Sequence, residues 1–370
     1  MLLLADIEGS SECHDRAGAR LLSRAWAQAC LGLTDDVAAV ARRLLEEGTS
    51  PLTIYDFHRT GFNLLPERLP AGTRLFLRQG YRLGPLPGLG RLPPGTASLV
   101  MLGMHAASGT PGFLAHTLTS RFREIRFRGH LLTEAELFAG AAGTRGLAPR
   151  FFSGCEEACR QAAATIPGLV TFPVPKPLTA LEPTTPPGET APTAASTEAP
   201  TDAPTAATAV QPLAAPLFAT PTGMPAAPMH AQTTFPPVAS RSSTAPVTAD
   251  LARWRATLAE AVIDSLRRWP PPPPFIVEGS CSAEVVFGSS REAARHAAPW
   301  GFPRRGAVVT ITGNDFLAFY WNLVRLAYFT PLAFAARRLS LRLGALVGRL
   351  TLDWVRRQAL PDERLHRVGL

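Results

Sequence analysis

Short apolar runs recur through the first half of the chain, and three of them end in the same kind of side chain. Leu2–Ala5 runs into Asp6-Ile7-Glu8-Gly9, residues 52–55 into Asp56-Phe57-His58, and residues 98–102 into Gly103-Met104-His105. Runs this short, bounded by turn residues, predict buried strands. Side chains two apart on a strand project to one side, so Asp6 pairs with Glu8 and Asp56 with His58. Gly9 permits a sharp turn after the first pair.

The intervening segments have helical character. Residues 17–31 are rich in Ala, Leu and Arg and predict a helix; Thr34-Asp35-Asp36 predicts the N-cap and acidic first turn of a second helix that stops at Gly48. Strand, helix and strand in this order imply a parallel pair with a crossover. Residues 75–77 and 125–127 are further strand candidates, and Thr133 caps a predicted helix containing Glu134 and Glu136. Residues 151–155 form a strand turning into a helix over residues 156–165, and Val170–Pro173 forms one more strand. The expected fold is therefore α/β, with a parallel-sheet domain over residues 1–176. In open parallel sheets ligands bind beyond the carboxyl ends of the strands, where Asp6, Glu8, His58 and His105 all fall.

Residues 177–249 break the pattern. Thr, Ala and Pro dominate, charges are few and no apolar periodicity survives, so the segment is expected to be a disordered or polyproline-like linker. A smaller α+β domain is expected over residues 250–330: a helix capped by Asp250, strands at residues 275–277 and 283–287, a short helix over 291–298, a strand over 307–312 and a helix from Asp315. The apolar run 316–336 contains Asn322, Arg325 and Pro331, which argues against a membrane span. Residues 331–370 complete the chain as a basic amphipathic helical tail, of a kind that packs on a surface and in some proteins lies on a membrane.

Composition narrows the function. The chain of 370 residues carries a formal net charge of +8. A single lysine, Lys176, stands among scattered arginines, and no nucleic-acid motif accompanies them, so no nucleic-acid role is expected. Five cysteines, an odd and sparse set, do not form a disulfide framework. With no signal-peptide pattern after Met1, the expected location is the cytoplasm and a membrane partner is not expected.

Carboxylates and imidazoles converging at strand ends suit zinc or a similar divalent ion. The stretch from His105 to His116-Thr117 reads as the second half of such a site. Together, Asp6-x-Glu8-Gly9, Asp56-x-His58, Gly103-x-His105-Ala106, His116-Thr117 and Glu134, with eleven residues from His105 to His116 and eighteen from His116 to Glu134, resemble the zinc D-aminopeptidases of the DppA family. Asn63-Leu64 and Ser108-Gly109-Thr110 also fit, and the resemblance covers most of residues 1–176 and, more faintly, 250–330. It implies a two-zinc aminopeptidase acting on D-amino-acid peptides such as D-Ala-D-Ala, and a ring-like homo-oligomer of the kind that is a decamer in the family's best-known member. It further implies that Asp6 bridges the two ions, that Glu8, His58, His105 and Glu134 complete their shells, and that His116 is the catalytic proton carrier beside a metal-activated water. Cys155 stands where the family often has Asp, and the linker and tail are additions. Two other readings stay open: another metal-dependent hydrolase, for example of phosphoesters, and a non-catalytic peptide-binding oligomeric scaffold.

Overall fold

A computed structural model describes residues 1–176, 246–268 and 270–359; most of the expected linker, residues 177–245, lies outside the described residues. The elements are β1 (Leu2–Ala5), α1 (Arg24–Glu46), β2 (Leu52–Asp56), β3 (Leu75–Arg78), β4 (Ser98–Met104), β5 (Phe122–Phe127), β6 (His130–Leu131), α2 (Glu134–Gly143), β7 (Ala148–Gly154), α3 (Glu156–Thr165) and β8 (Val170–Pro173). After the undescribed segment come α4 (Pro246–Arg267), β9 (Cys281–Phe287), α5 (Ser290–Ala297), β10 (Arg304–Arg305), β11 (Val308–Gly313), α6 (Phe316–Tyr328), α7 (Pro331–Ala335) and α8 (Arg337–Ala359).

The apolar runs form a six-stranded parallel sheet in the order β3-β2-β1-β4-β7-β8. Every residue of β1, β2 and β7 is buried, as expected of parallel strands covered on both faces. Ala5 lies opposite Asp56 on one side and Leu102 on the other, so three strand ends are level where the polar residues begin. Sequence order reverses between β1 and β4, which makes their carboxyl ends the switch point of the sheet.

A second sheet, antiparallel, has the order β10-β11-β9-β5-β6. The segments 1–176 and 250–330, which look separate in sequence, share it: β5 pairs with β9, Ile125 opposite Val285. The hydrogen-bonding edge of β5 is thus met by a strand more than a hundred residues away.

Four expectations change. Residues 17–48 hold one long helix, not two: Ser23 is the N-cap, accepting from the Trp26 amide at 2.9 Å. Thr34 lies inside it, its hydroxyl turned back to the Cys30 carbonyl at 2.6 Å. Asp36, buried mid-helix, is held by Arg255 of α4 at 2.8 Å and by Ser11. Residues 275–277 form no strand; they follow a proline run that lacks ladder donors. The helix expected from Asp250 begins at Pro246. The apolar run 316–336 is divided at Phe329 into α6 and α7. Among the described residues no helix is long and apolar enough to cross a membrane.

Candidate metal centre

Asp6 follows β1 directly, His58 is two residues beyond β2, and His105 is one beyond β4. Glu134 is the first residue of α2. It is placed there by a capping box in which Thr133 accepts from the Glu136 amide at 3.1 Å and the Glu136 carboxylate accepts from the Thr133 amide, also at 3.1 Å. His116 lies in the loop between β4 and β5.

Glycine permits two of these strand ends to close on each other. The Gly9 amide donates to the Gly103 carbonyl at 2.8 Å. A Cβ on Gly9 would overlap the Met104 carbonyl, and one on Gly103, whose φ is +73°, would overlap the Asp6 carbonyl.

All six residues singled out in the sequence meet in one place. Asp6 divides its carboxylate between two imidazoles: Oδ1 lies 3.3 Å from His58 Nδ1 and Oδ2 3.3 Å from His105 Nε2. Glu8 Oε2 is 2.9 Å from His58 Nδ1, and Glu134 Oε1 is 3.6 Å from His105 Nε2. His116 stacks on His105 with ring centroids 3.9 Å apart and planes 8° from parallel, its Nε2 4.0 Å from Glu8 Oε1. Asp6, Glu8 and His58 form one set of possible ligands, and His105, His116 and Glu134 another; within each set the ligand atoms lie within 4.8 Å of one another.

The backbone orients the imidazoles. His105 Nδ1 faces the Ala106 carbonyl at 3.1 Å and His116 Nδ1 the Leu114 carbonyl at 2.9 Å, so each ring turns Nε2 inward. Such an arrangement selects the tautomer with a proton on Nδ1. Asp56 takes no place among the candidate ligands. It accepts from the Asn63 amide, from Asn63 Nδ2 at 2.7 Å and from the Leu64 amide at 2.8 Å, and so pins the loop that carries His58. Glu136 is committed to the cap and to His130 at 2.7 Å, which separates its role from that of Glu134.

The electrostatics fit a centre built for positive charge. Burial works to raise the Asp6 pKa, but His105 and His58 outweigh it and hold the carboxyl well below its usual range. Burial opposes the charge on His58, yet Glu8 and Asp6 raise it to about 10. Burial also opposes the charge on His105, and Glu134 and Asp6 again raise it. Burial raises Glu134 to about 7, and burial with the neighbouring His105 lowers His116 to about 4. His58 turns Nδ1 to Asp6 and Glu8 and leaves its other ring nitrogen, Nε2, buried without a hydrogen-bond partner among the described residues. The donor set is that of a divalent ion of zinc's kind.

Two residues outside the predicted set support the ligand loop. Lys176 donates to the carbonyls of Ser10 and Cys13, just behind Glu8, with its ammonium 5.2 Å over the Phe113 ring. Arg255 binds Asp36, Asp35 and Glu12. The only trace of Lys176 in the sequence is that it is the sole lysine; Arg255 is one of many arginines and had none. Cys155 and Cys159 are both buried free thiols, Cys155 at the start of α3 and Cys159 3.6 Å from the Gly154 carbonyl.

A parallel α/β sheet with buried acids and imidazoles gathered at its switch point defines an α/β protein with a candidate metal centre on the loops at its strand ends. The chain belongs to the M55 peptidase family of D-aminopeptidases, whose model matches residues 1–217. No curated protein matches it. Among solved structures it is similar to the Zn-dependent D-aminopeptidase DppA from Bacillus subtilis, described as a self-compartmentalizing protease. The TM-score is 0.63 at 16% identity, over 88% of this chain and 96% of that one. At that identity the likeness concerns the fold.

Proposed function

We propose that the chain is a zinc-dependent aminopeptidase that removes the N-terminal residue of short D-amino-acid peptides, D-Ala-D-Ala among them. The observation that carries this reading is the Asp6 carboxylate, divided between His58 and His105 at 3.3 Å on each side, because a shared acid between two ligand sets suits a two-ion site. Asp6 would bridge, with Glu8, His58, His105 and Glu134 completing the two shells. Ions held by these residues would supply Lewis acidity toward the scissile carbonyl and lower the pKa of a bound water. The zinc named for the DppA neighbour supports the choice of metal.

His116 moves the proton in this scheme. Its Nδ1 is directed to the Leu114 carbonyl, leaving Nε2 facing the site. In the metal-free chain burial and the neighbouring His105 lower its pKa to about 4, which leaves the ring neutral near pH 7 with Nε2 open to take a proton from water in this scheme. Passing that proton to the leaving amine completes hydrolysis of the peptide bond. We extend to this chain the self-compartmentalizing description of the neighbour, as a homo-oligomer, with a decamer the form to test by mass. The experiment is turnover of D- and L-aminoacyl dipeptides by purified protein before and after zinc loading. Zinc-dependent release of D-residues is expected. No release from any dipeptide at full metal occupancy would overturn the reading.

A further inference from the structure

Helix α8 is divided into faces. Its inner face buries Gly348, Thr351, Leu352 and Val355, and Trp354 stacks on Trp26 of α1 at 5.9 Å. Its outer face carries Leu339, Leu343, Leu346 and Leu350, which are 57%, 54%, 50% and 60% exposed. Spaced four, three and four residues apart, these leucines form one stripe along the helix. An inner face already packed and an outer face still apolar is the signature of a surface with a second partner.

Beside the leucines runs a row of charge. Arg338 and Arg342 border a shallow depression of about 470 Å³, wide open to solvent, that Arg82 and Arg91 also line together with Tyr81, Leu83 and Leu341. No acid lines the depression, and none of the four arginines has an ion-pair partner among the described residues. Elsewhere surface arginines such as Arg43, Arg68, Arg160 and Arg267 pair with carboxylates. Four unpaired guanidiniums around one depression repel one another until an anion enters, and their planar forks match phosphate oxygens two at a time.

The charge also separates the candidate occupants. Along α8, Arg337, Arg338, Arg342, Arg349, Arg356 and Arg357 face a single acid, Asp353. A second copy docked about a two-fold axis would bring this basic helix against itself, and a ring contact between unlike faces would need an acidic partner surface to match these arginines. An anionic bilayer meets both needs, with an apolar boundary for the leucines and phosphates for the arginines. We propose that α8 and the arginine-lined depression form a docking face for an anionic phospholipid surface, on which the leucines enter the interface and Arg82, Arg91, Arg338 and Arg342 hold lipid phosphates. The helix lies on the membrane and does not cross it, and the docking is independent of the peptidase reading.

The test is co-sedimentation of the full chain with vesicles of phosphatidylglycerol and phosphatidylcholine in equal parts, and with phosphatidylcholine alone. Binding to the first only is expected, weakening as salt is raised because surface charge is screened. Arg338→Ser with Arg342→Ser lowers vesicle affinity by about fivefold for each arginine removed. Leu343→Ser with Leu346→Ser lowers it as well, and both pairs keep wild-type dipeptidase turnover and fold. Equal binding to neutral vesicles, or none to anionic ones, overturns the proposal. Two further outcomes overturn it in favour of another occupant. The depression serves a soluble anion if inorganic pyrophosphate binds in an Arg342-dependent manner and vesicles do not. The stripe is a subunit contact if the leucine pair lowers the sedimentation mass while vesicle binding is unchanged.

Discussion

Replacing His116 by alanine separates proton transfer from metal holding. The ring is fixed by two contacts that do not involve the other candidate ligands' backbone: its Nδ1 to the Leu114 carbonyl at 2.9 Å and its face on His105 at 3.9 Å. His105 keeps its own anchor, the Ala106 carbonyl at 3.1 Å, when the stacked partner is gone. Five other acids and imidazoles then remain for two ions. A positioned acid or base contributes about 10²–10⁴ in rate, which is about 3–5 kcal/mol of barrier. His116→Ala is therefore expected to lose that factor in kcat with two metal ions still bound, whereas His105→Ala loses metal as well. Metal content by mass spectrometry, read beside kcat and KM for release of D-alanine, makes the comparison. Wild-type turnover by His116→Ala refutes the proton-carrier role. Loss of metal from that variant makes His116 a ligand, and Glu134, which burial raises to about 7, becomes the group to examine for proton transfer.

Three other outcomes follow from the same geometry. Asp6→Ala should lose both ions, since Oδ1 and Oδ2 face the two histidines separately; retention of either ion at wild-type affinity refutes the bridge. In metal-free protein His58 has a pKa raised from 6.5 to about 10, so its contribution to stability is complete below pH 6.5 and is lost as pH rises toward 10. The melting temperature should fall across that window, less so in His58→Gln, and an equal slope in both proteins would refute the assignment. Arg255→Ala strands the buried Asp36 carboxylate and should cost about 3 kcal/mol in urea unfolding; a change below about 0.5 kcal/mol would show that the helix pair does not need it.

The centre of the fold was legible in the sequence because its signals are local, whereas His116 and Glu134 were singled out by their order and spacing in a family resemblance. A run such as Leu2–Ala5 suits a strand buried on both faces, and in the parallel sheet it joins, the polar residues directly after it emerge at the carboxyl edge. The helix start at Thr133 is likewise local, but that Glu136 closes a capping box while Glu134 faces the site is shown by the structure. What the tertiary structure decided depends on partners far along the chain. Thr34-Asp35-Asp36 has the composition of a helix start, yet α1 continues through it because Arg68 and Arg255 neutralise the two acids. Residues 275–277 have strand composition but find no edge to pair with, whereas β5 finds β9 across the undescribed segment. Local composition sets what a segment can form; the burial of charges and the pairing of strand edges, which draw on residues far apart in the chain, set what it does form.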